Sequence, residues 1–149
     1  MKSSNAILLV SVVVLSMTIT KGQAANWVYF SEMPGCFQVY YDSESISTTS
    51  HGTRAVSTKQ VYSDSCRRDE ISDRANTDLS IVGYESYRYT ISLYEFNCIA
   101  RKRVLISFTD HDESGNSLDS FAFTNLIWVP ISPGSMGDSF FKKLCTPRK

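Results

Sequence analysis

Between residues 87 and 108 the chain alternates apolar and polar side chains with a period of two. Tyr87, Tyr89, Ile91 and Leu93 fall on one side of the stretch 87–98 (YRYTISLYEFNC). Val104, Ile106 and Phe108 fall together in 102–108 (KRVLISF). That period places every second side chain on one face of a sheet, so both stretches are expected as half-buried antiparallel strands. Shorter β-branched or aromatic runs read the same way at 27–30, 37–41, 54–62, 121–123 and 126–129. Pro34-Gly35 precedes the second of these, and His51-Gly52 and Ser114-Gly115-Asn116 supply hairpin turns.

One segment changes period. Ser135 and Asp138 form an S-x-x-D capping box behind Pro133-Gly134, and Phe140, Phe141 and Leu144 then share one helical face. Lys142 and Lys143 sit where a helix C-terminus favours cations. The stretch 63–86 is rich in Asp, Arg and Ser and is expected as a long surface excursion with at most a helical turn. The fold class is therefore α+β: an antiparallel meander sheet with a C-terminal amphipathic helix packed on it and two disulfides.

The first residues belong to a different kind of segment. Lys2, the uncharged run 6–19 and the small residues Gly22-Gln23-Ala24 have the build of a secretory signal, with the cut after Ala24. The run is shorter than the roughly 20 apolar residues of a bilayer span. The expected organisation is a signal peptide at 1–24 and a single domain at 25–149. Removing Lys2 and Lys21 from 15 basic residues leaves 13 against 15 acidic ones, 13 − 15 = −2. That balance excludes the basic surplus of a nucleic-acid binder.

Cys36, Cys66, Cys98 and Cys145 all lie behind the signal. An even count in an exported chain, at long spacings and without a C-x-x-C pair, indicates disulfides instead of zinc. If the strands around residue 51 pair as a hairpin, positions summing to about 102 face each other, and 36 + 66 = 102. The expected bonds are Cys36–Cys66 and, from the remaining two, Cys98–Cys145.

Chemistry is sparse. His51 and His111 both fall in predicted turns, no serine lies in a G-x-S-x-G elbow, and paired cysteines leave no thiol nucleophile. Asp110, Asp112, Ser114 and Gly115 match the first half of a calcium loop, but Phe121 stands where the closing Glu belongs. A solvated turn is expected there, with cation binding left open. No catalytic, cofactor-binding or metal-ligating residue is assigned. Tyr84, Tyr87, Tyr89 and Tyr94 read as sheet core or as a binding face, and Arg101-Lys102-Arg103 as a solvated strand edge.

The ordered landmarks resemble the bacterial surface-adhesin protein E family. They are Trp27, the strand ending in Tyr41-Asp42 followed by Ser45-Ile46, the polar middle, the alternating strand ending in Cys98, and a close of Trp128, Pro133-Gly134-Ser135, a short helix and Cys145. The resemblance spans almost all of the chain after the signal and implies an antiparallel sheet with the terminal helix on it. Cys36 and Cys66 are additional to the family's usual pair, and no cysteine near the cut would carry a lipid anchor. The expected function is a non-enzymatic, adhesin-like binding module for a protein partner, periplasmic or secreted, with no nucleic acid and no membrane span. A small periplasmic enzyme, an enzyme modulator or a structural subunit of an envelope assembly stand as alternatives.

Overall fold

The computed structural model describes residues 24–146, so the signal peptide expected at 1–24 lies, through Gln23, outside the described residues. Six strands form an antiparallel meander in sequence order: β1 (Trp27–Met33), β2 (Phe37–Asp42), β4 (Arg54–Tyr62), β5 (Tyr87–Asn97), β6 (Lys102–Asp112) and β7 (Ser117–Ala122). Two short strands join it, β3 (Ser47–Thr48) beside β4 and β8 (Val129–Pro130) beside β6. The runs expected at 121–123 and 126–129 thus contribute only the ends of β7 and β8. Between them the chain leaves the sheet and exposes Leu126 and Ile127.

Extra residues decide which side chains face which way. A β-bulge inserts one residue, and here the register slips at Phe30 in β1, Arg88 in β5, Ile106 in β6 and Leu118 in β7. The bulge at Arg88 breaks the expected row. Tyr87 packs with Tyr62 and Tyr84, while Tyr89, Ile91 and Leu93 point to the opposite face.

Helix α2 (Met136–Cys145) is the amphipathic helix the sequence predicts. The Ser135 hydroxyl accepts the Asp138 N–H at 3.1 Å, but the Asp138 carboxylate reaches back to Gly134 N–H at 2.9 Å, one residue beyond the usual partner. Phe140 and Leu144 bury against Val39, Tyr41, Val56, Phe96 and Ile131, and Phe30 stacks on Phe140 at 3.8 Å.

The excursion at 63–86 is a finding against expectation. Residues Asp64–Asn76 form a full helix, α1, with Ser63 as N-cap. Its sequence carries no apolar stripe and none of its residues is fully buried. Cys66 and Ile71 alone lean on the cluster of Tyr62, Tyr84 and Tyr87. Both disulfides form as expected, Cys36–Cys66 and Cys98–Cys145. The register behind the first is partly different. β3 and β4 pair with 47 + 55 = 102, but β2 and β4 pair with 37 + 62 = 99. A 3₁₀ turn at Ser43–Ser45 shifts β2, and the first turn of α1 brings Cys66 back to Cys36. Among the described residues no helix is long and apolar enough to cross a membrane.

Candidate binding face

Both helices pack on one face of the sheet, α2 over one end and α1 over the other. The opposite face is built by alternation from Trp27 and Tyr29 of β1, Tyr40 of β2, Lys59 of β4, Tyr89 of β5 and His111 of β6. These side chains touch. Tyr29 meets Tyr40 edge-on with ring centroids 5.8 Å apart, and Tyr89 stacks on His111 at 4.8 Å. Lys59 Nζ lies 4.8 Å from the Trp27 ring, 5.5 Å from Tyr40 and 5.6 Å from Tyr89. Burial among the rings holds the Lys59 ammonium below its ordinary pKa, and the ring faces partly replace the lost water. Tyr29 stays 51 % exposed at the rim.

The covered face carries a polar network beneath α1. Asp110 is 7 % exposed and accepts hydrogen bonds from Tyr84 OH at 2.7 Å and Thr90 Oγ1 at 2.6 Å. Tyr87 OH lies 2.6 Å from Thr90 Oγ1. Arg74 pairs with Asp110 at 3.7 Å, bonds Asp119, and lies 4.3 Å over the Tyr84 ring. Burial pushes the Tyr62 phenol up to about 12 and raises Tyr84 and Tyr87 in the same direction, so all three are held as neutral donors. Every buried polar side-chain atom among the described residues has a partner. A network satisfied in this way fastens α1 to the sheet.

The residues singled out in the sequence separate accordingly. His51 lies exposed in the β3–β4 turn; its N–H donates to Thr49 Oγ1 at 3.2 Å, and its ring bonds Ser50 at 3.5 Å. His111 is in β6 and not in a turn, because β6 runs on to Asp112; its Nδ1 faces Gly115 O at 3.2 Å. Neither ring has a carboxylate partner among the described residues. Asp112 closes the hairpin. Its carboxylate accepts from Ser114 N at 2.9 Å and Asn116 N at 2.8 Å, and the Asn116 amide first among these bonds lowers its pKa. The four tyrosines divide: Tyr84 and Tyr87 are core, Tyr89 is on the uncovered face, and Tyr94 packs at the edge of the α2 cluster. In the basic triplet Lys102 is exposed, while Arg101 binds Asp138 and Arg103 turns inward along α2.

Sequence reasoning missed Lys59 and Arg74. Lys59 stands among the polar residues Ser57, Thr58 and Gln60 of β4, so the strand gives no local signal for it. Its meaning needs the registers that bring Trp27, Tyr40 and Tyr89 beside it. Arg74 is one of several charges on a helix with no apolar pattern, and nothing local distinguishes it.

No curated protein and no solved structure matches the chain. The family model described as surface-adhesin protein E matches residues 27–146, that is 146 − 27 + 1 = 120 of 149 residues. That match covers all eight strands and both helices and supports an adhesin-like binding role, and the chain belongs to the surface-adhesin protein E family.

Proposed function

We propose that this protein is an exported, non-enzymatic binding module whose uncovered sheet face takes a protein partner. The observation that carries the reading is the unequal treatment of the two sheet faces. One is closed by two helices; the other gathers Trp27, Tyr40 and Tyr89 around Lys59, with Tyr29 against Tyr40, and no helix among the described residues lies over them. Aromatic rings with polar tips are the residues enriched at protein interfaces, since they give large contact area with few torsions to freeze. Export is supported by two disulfides, which persist in oxidising compartments, and by the signal-like start with its cut after Ala24.

A photo-crosslinking residue at position 40 should capture one envelope protein, and the same residue at Asp69 on the outer side of α1 should not. Purified, that protein should bind the wild-type chain, and Tyr29→Ser with Tyr89→Ser should weaken it at least tenfold, as loss of two interface anchors does. His51→Ala should leave it unchanged. Equal capture from both positions would remove the uncovered face as the site. Mature protein recovered with Met1 at its N-terminus would remove the export reading.

A further inference from the structure

The covered face is not filled along its whole length. Between the two helices the sheet presents polar residues where a core would be apolar: Thr58 opposite Ser92, and Gln60 opposite Thr90. Over the first of these pairs, between the sheet and the first turn of α2, lies a cavity of about 350 Å³. Arg103 lines it beside its cross-strand neighbour Phe96, Gln60 lines it beside its cross-strand neighbour Val39, and Ser92 and Phe140 lie along it.

Arg103 is unlike the other arginines that face the protein. Arg67, Arg74 and Arg101 each have a carboxylate partner. The Arg103 guanidinium makes no hydrogen bond or ion pair among the described residues and only stacks on Tyr94, at 5.5 Å from the ring centroid. The Gln60 amide and the Ser92 hydroxyl likewise have no partner among the described residues, and Thr58 Oγ1 makes only a 3.5 Å bond to Ser92 O. The nearest carboxylate on α2, Asp138, is already held by Gly134 N–H, Arg101 and Lys142. Arg103 runs along the first turn of α2, where a Cβ on Gly137 would meet its Nε at 3.4 Å.

We propose that this cavity is a binding site for a small organic carboxylate, with the carboxylate on Arg103 and the apolar body against Phe96 and Phe140. A guanidinium offers donors in a fork that matches a carboxylate in two places, and a desolvated charge-assisted bond of this kind is strong. Ser92, on the same strand as Tyr94 and Phe96, supplies a further donor along the cavity. The volume is that of an ordinary small-molecule site, and the rings of Phe96 and Phe140 favour an anion carrying a hydrocarbon or aromatic body over an inorganic one. The site is separate from the uncovered face. A ligand there braces α2 against the sheet.

The probe is phenylacetate, with neutral phenylacetamide as its matched control. Titration calorimetry should show phenylacetate binding at one site, and thermal unfolding should move upward with its concentration, as a ligand bound only by the folded state requires. In nitrogen-15 spectra the Arg103 Nε–H resonance should shift along the same isotherm. Phenylacetamide should do neither. Arg103→Gln should weaken phenylacetate by about tenfold or more, and Ser92→Ala by a few-fold, in line with charged and neutral hydrogen bonds. If Arg103→Gln fails to fold, the wild-type Arg103 resonance and Ser92→Ala still decide. Equal binding of acid and amide, an unmoved Arg103 resonance, or undiminished affinity in Arg103→Gln would each overturn the proposal.

Discussion

The two ends of the covered sheet face hold their helices by different physics. At one end α2 buries Phe140 and Leu144 into an apolar cluster with Val56 and Phe96. At the other, α1 buries nothing completely and is held by Cys36–Cys66, by Arg74 on Asp110 and Asp119, and by Arg67 on Tyr87 O and Glu113. Apolar burial is additive with area and indifferent to exact geometry. A polar network stabilises only while every member keeps its partner. The α2 end is therefore a source of global stability, and the α1 end is a region whose order depends on the rest being folded.

The sharpest way to break this comparison is to truncate one apolar anchor at each end. Phe140→Ala should cost about 3–5 kcal/mol, as a buried phenylalanine lost to a cavity does. That corresponds to a fall in Tm of roughly 10–20 °C for a domain of this size. Ile71→Ala, half-buried under α1, should cost about 1 kcal/mol or less. Thermal unfolding by circular dichroism measures both, and similar losses would show that α1 carries core stability after all.

The same contrast explains what was legible in the sequence. The α2 helix announces itself locally, because Ser135, Asp138 and the Phe140-Phe141-Leu144 face are cap and core signals within one segment. The sequence DSCRRDEISDRAN has no such face, so its helix is specified by partners at Tyr87, Asp110 and Asp119 that only the folded sheet brings near. The disulfide pairing was readable although the β2 register was not. The β3–β4 hairpin does centre where the turn places it, and the three-residue slip introduced at Ser43–Ser45 has no pattern in period two. The proposed binding face was hidden for a related reason. Tyr89, Ile91 and Leu93 give a clean apolar row, which ordinarily marks the buried side, and only the bulge at Arg88 shows that the row faces away from the helices. The unpartnered Arg103 looked like one member of a surface triplet until its strand was placed under α2.

Removing the crosslinks singly should sharpen the comparison with the next largest effects. Each closes a loop long enough, 30 and 47 residues, for roughly 3–4 kcal/mol in the chain-entropy model. Replacing Cys98 and Cys145 with Ala should lower Tm for the whole domain and expose the Phe140 face, measured as dye binding during unfolding. Replacing Cys36 and Cys66 should act more locally. Amide exchange in α1 should rise by orders of magnitude while β4 and β5 stay protected. Loss of protection across β4 and β5 in that second variant would mean that α1 and the sheet unfold as one unit.

Titration separates the ends by the sign of the pH effect. Asp138 at the α2 end is held at about 2, chiefly by the Gly134 N–H and then by Lys142 and Arg101, against 3.8 for a free carboxyl. A depressed folded value means that its contribution is present above pH 3.8 and is lost as the pH falls through about 2. At the α1 end Tyr62 is raised from 10.0 to about 12 by burial, with Tyr84 and Tyr87 shifted the same way. A raised folded value means stability that is present below pH 10 and lost as the pH rises through about 12. For Tyr62 alone this is on the order of 2–3 kcal/mol at the alkaline limit. Amide exchange should show α1 opening first between pH 10 and 12, together with new phenolate absorbance. Asp138→Asn should flatten only the acid limb. An alkaline transition that opens α2 before α1 would contradict the assignment.

The smallest test replaces the two N-cap serines. Ser135 accepts the Asp138 N–H at 3.1 Å and donates to Ser132 O at 2.7 Å. Ser63 accepts the Cys66 N–H at 3.5 Å and donates to Gly35 O at 2.8 Å. Loss of such a cap typically costs about 1 kcal/mol, so the two substitutions to Ala should look alike by magnitude. They should differ in where the cost appears. α2 is part of the cooperative core, so Ser135→Ala should lower the global Tm by a few degrees. α1 is joined to that core by a disulfide and ion pairs, so Ser63→Ala should raise amide exchange within its first two turns. Its effect on the global Tm should be smaller. The Ser63–Gly35 bond also spans the loop beside Cys36, so the exchange increase should extend to Cys36 N–H, which bonds Met33 O at 3.0 Å. Equal shifts in Tm would show that the Ser63 cap is part of the global transition, and the distinction between an apolar and a polar end would then hold for packing but not for cooperativity.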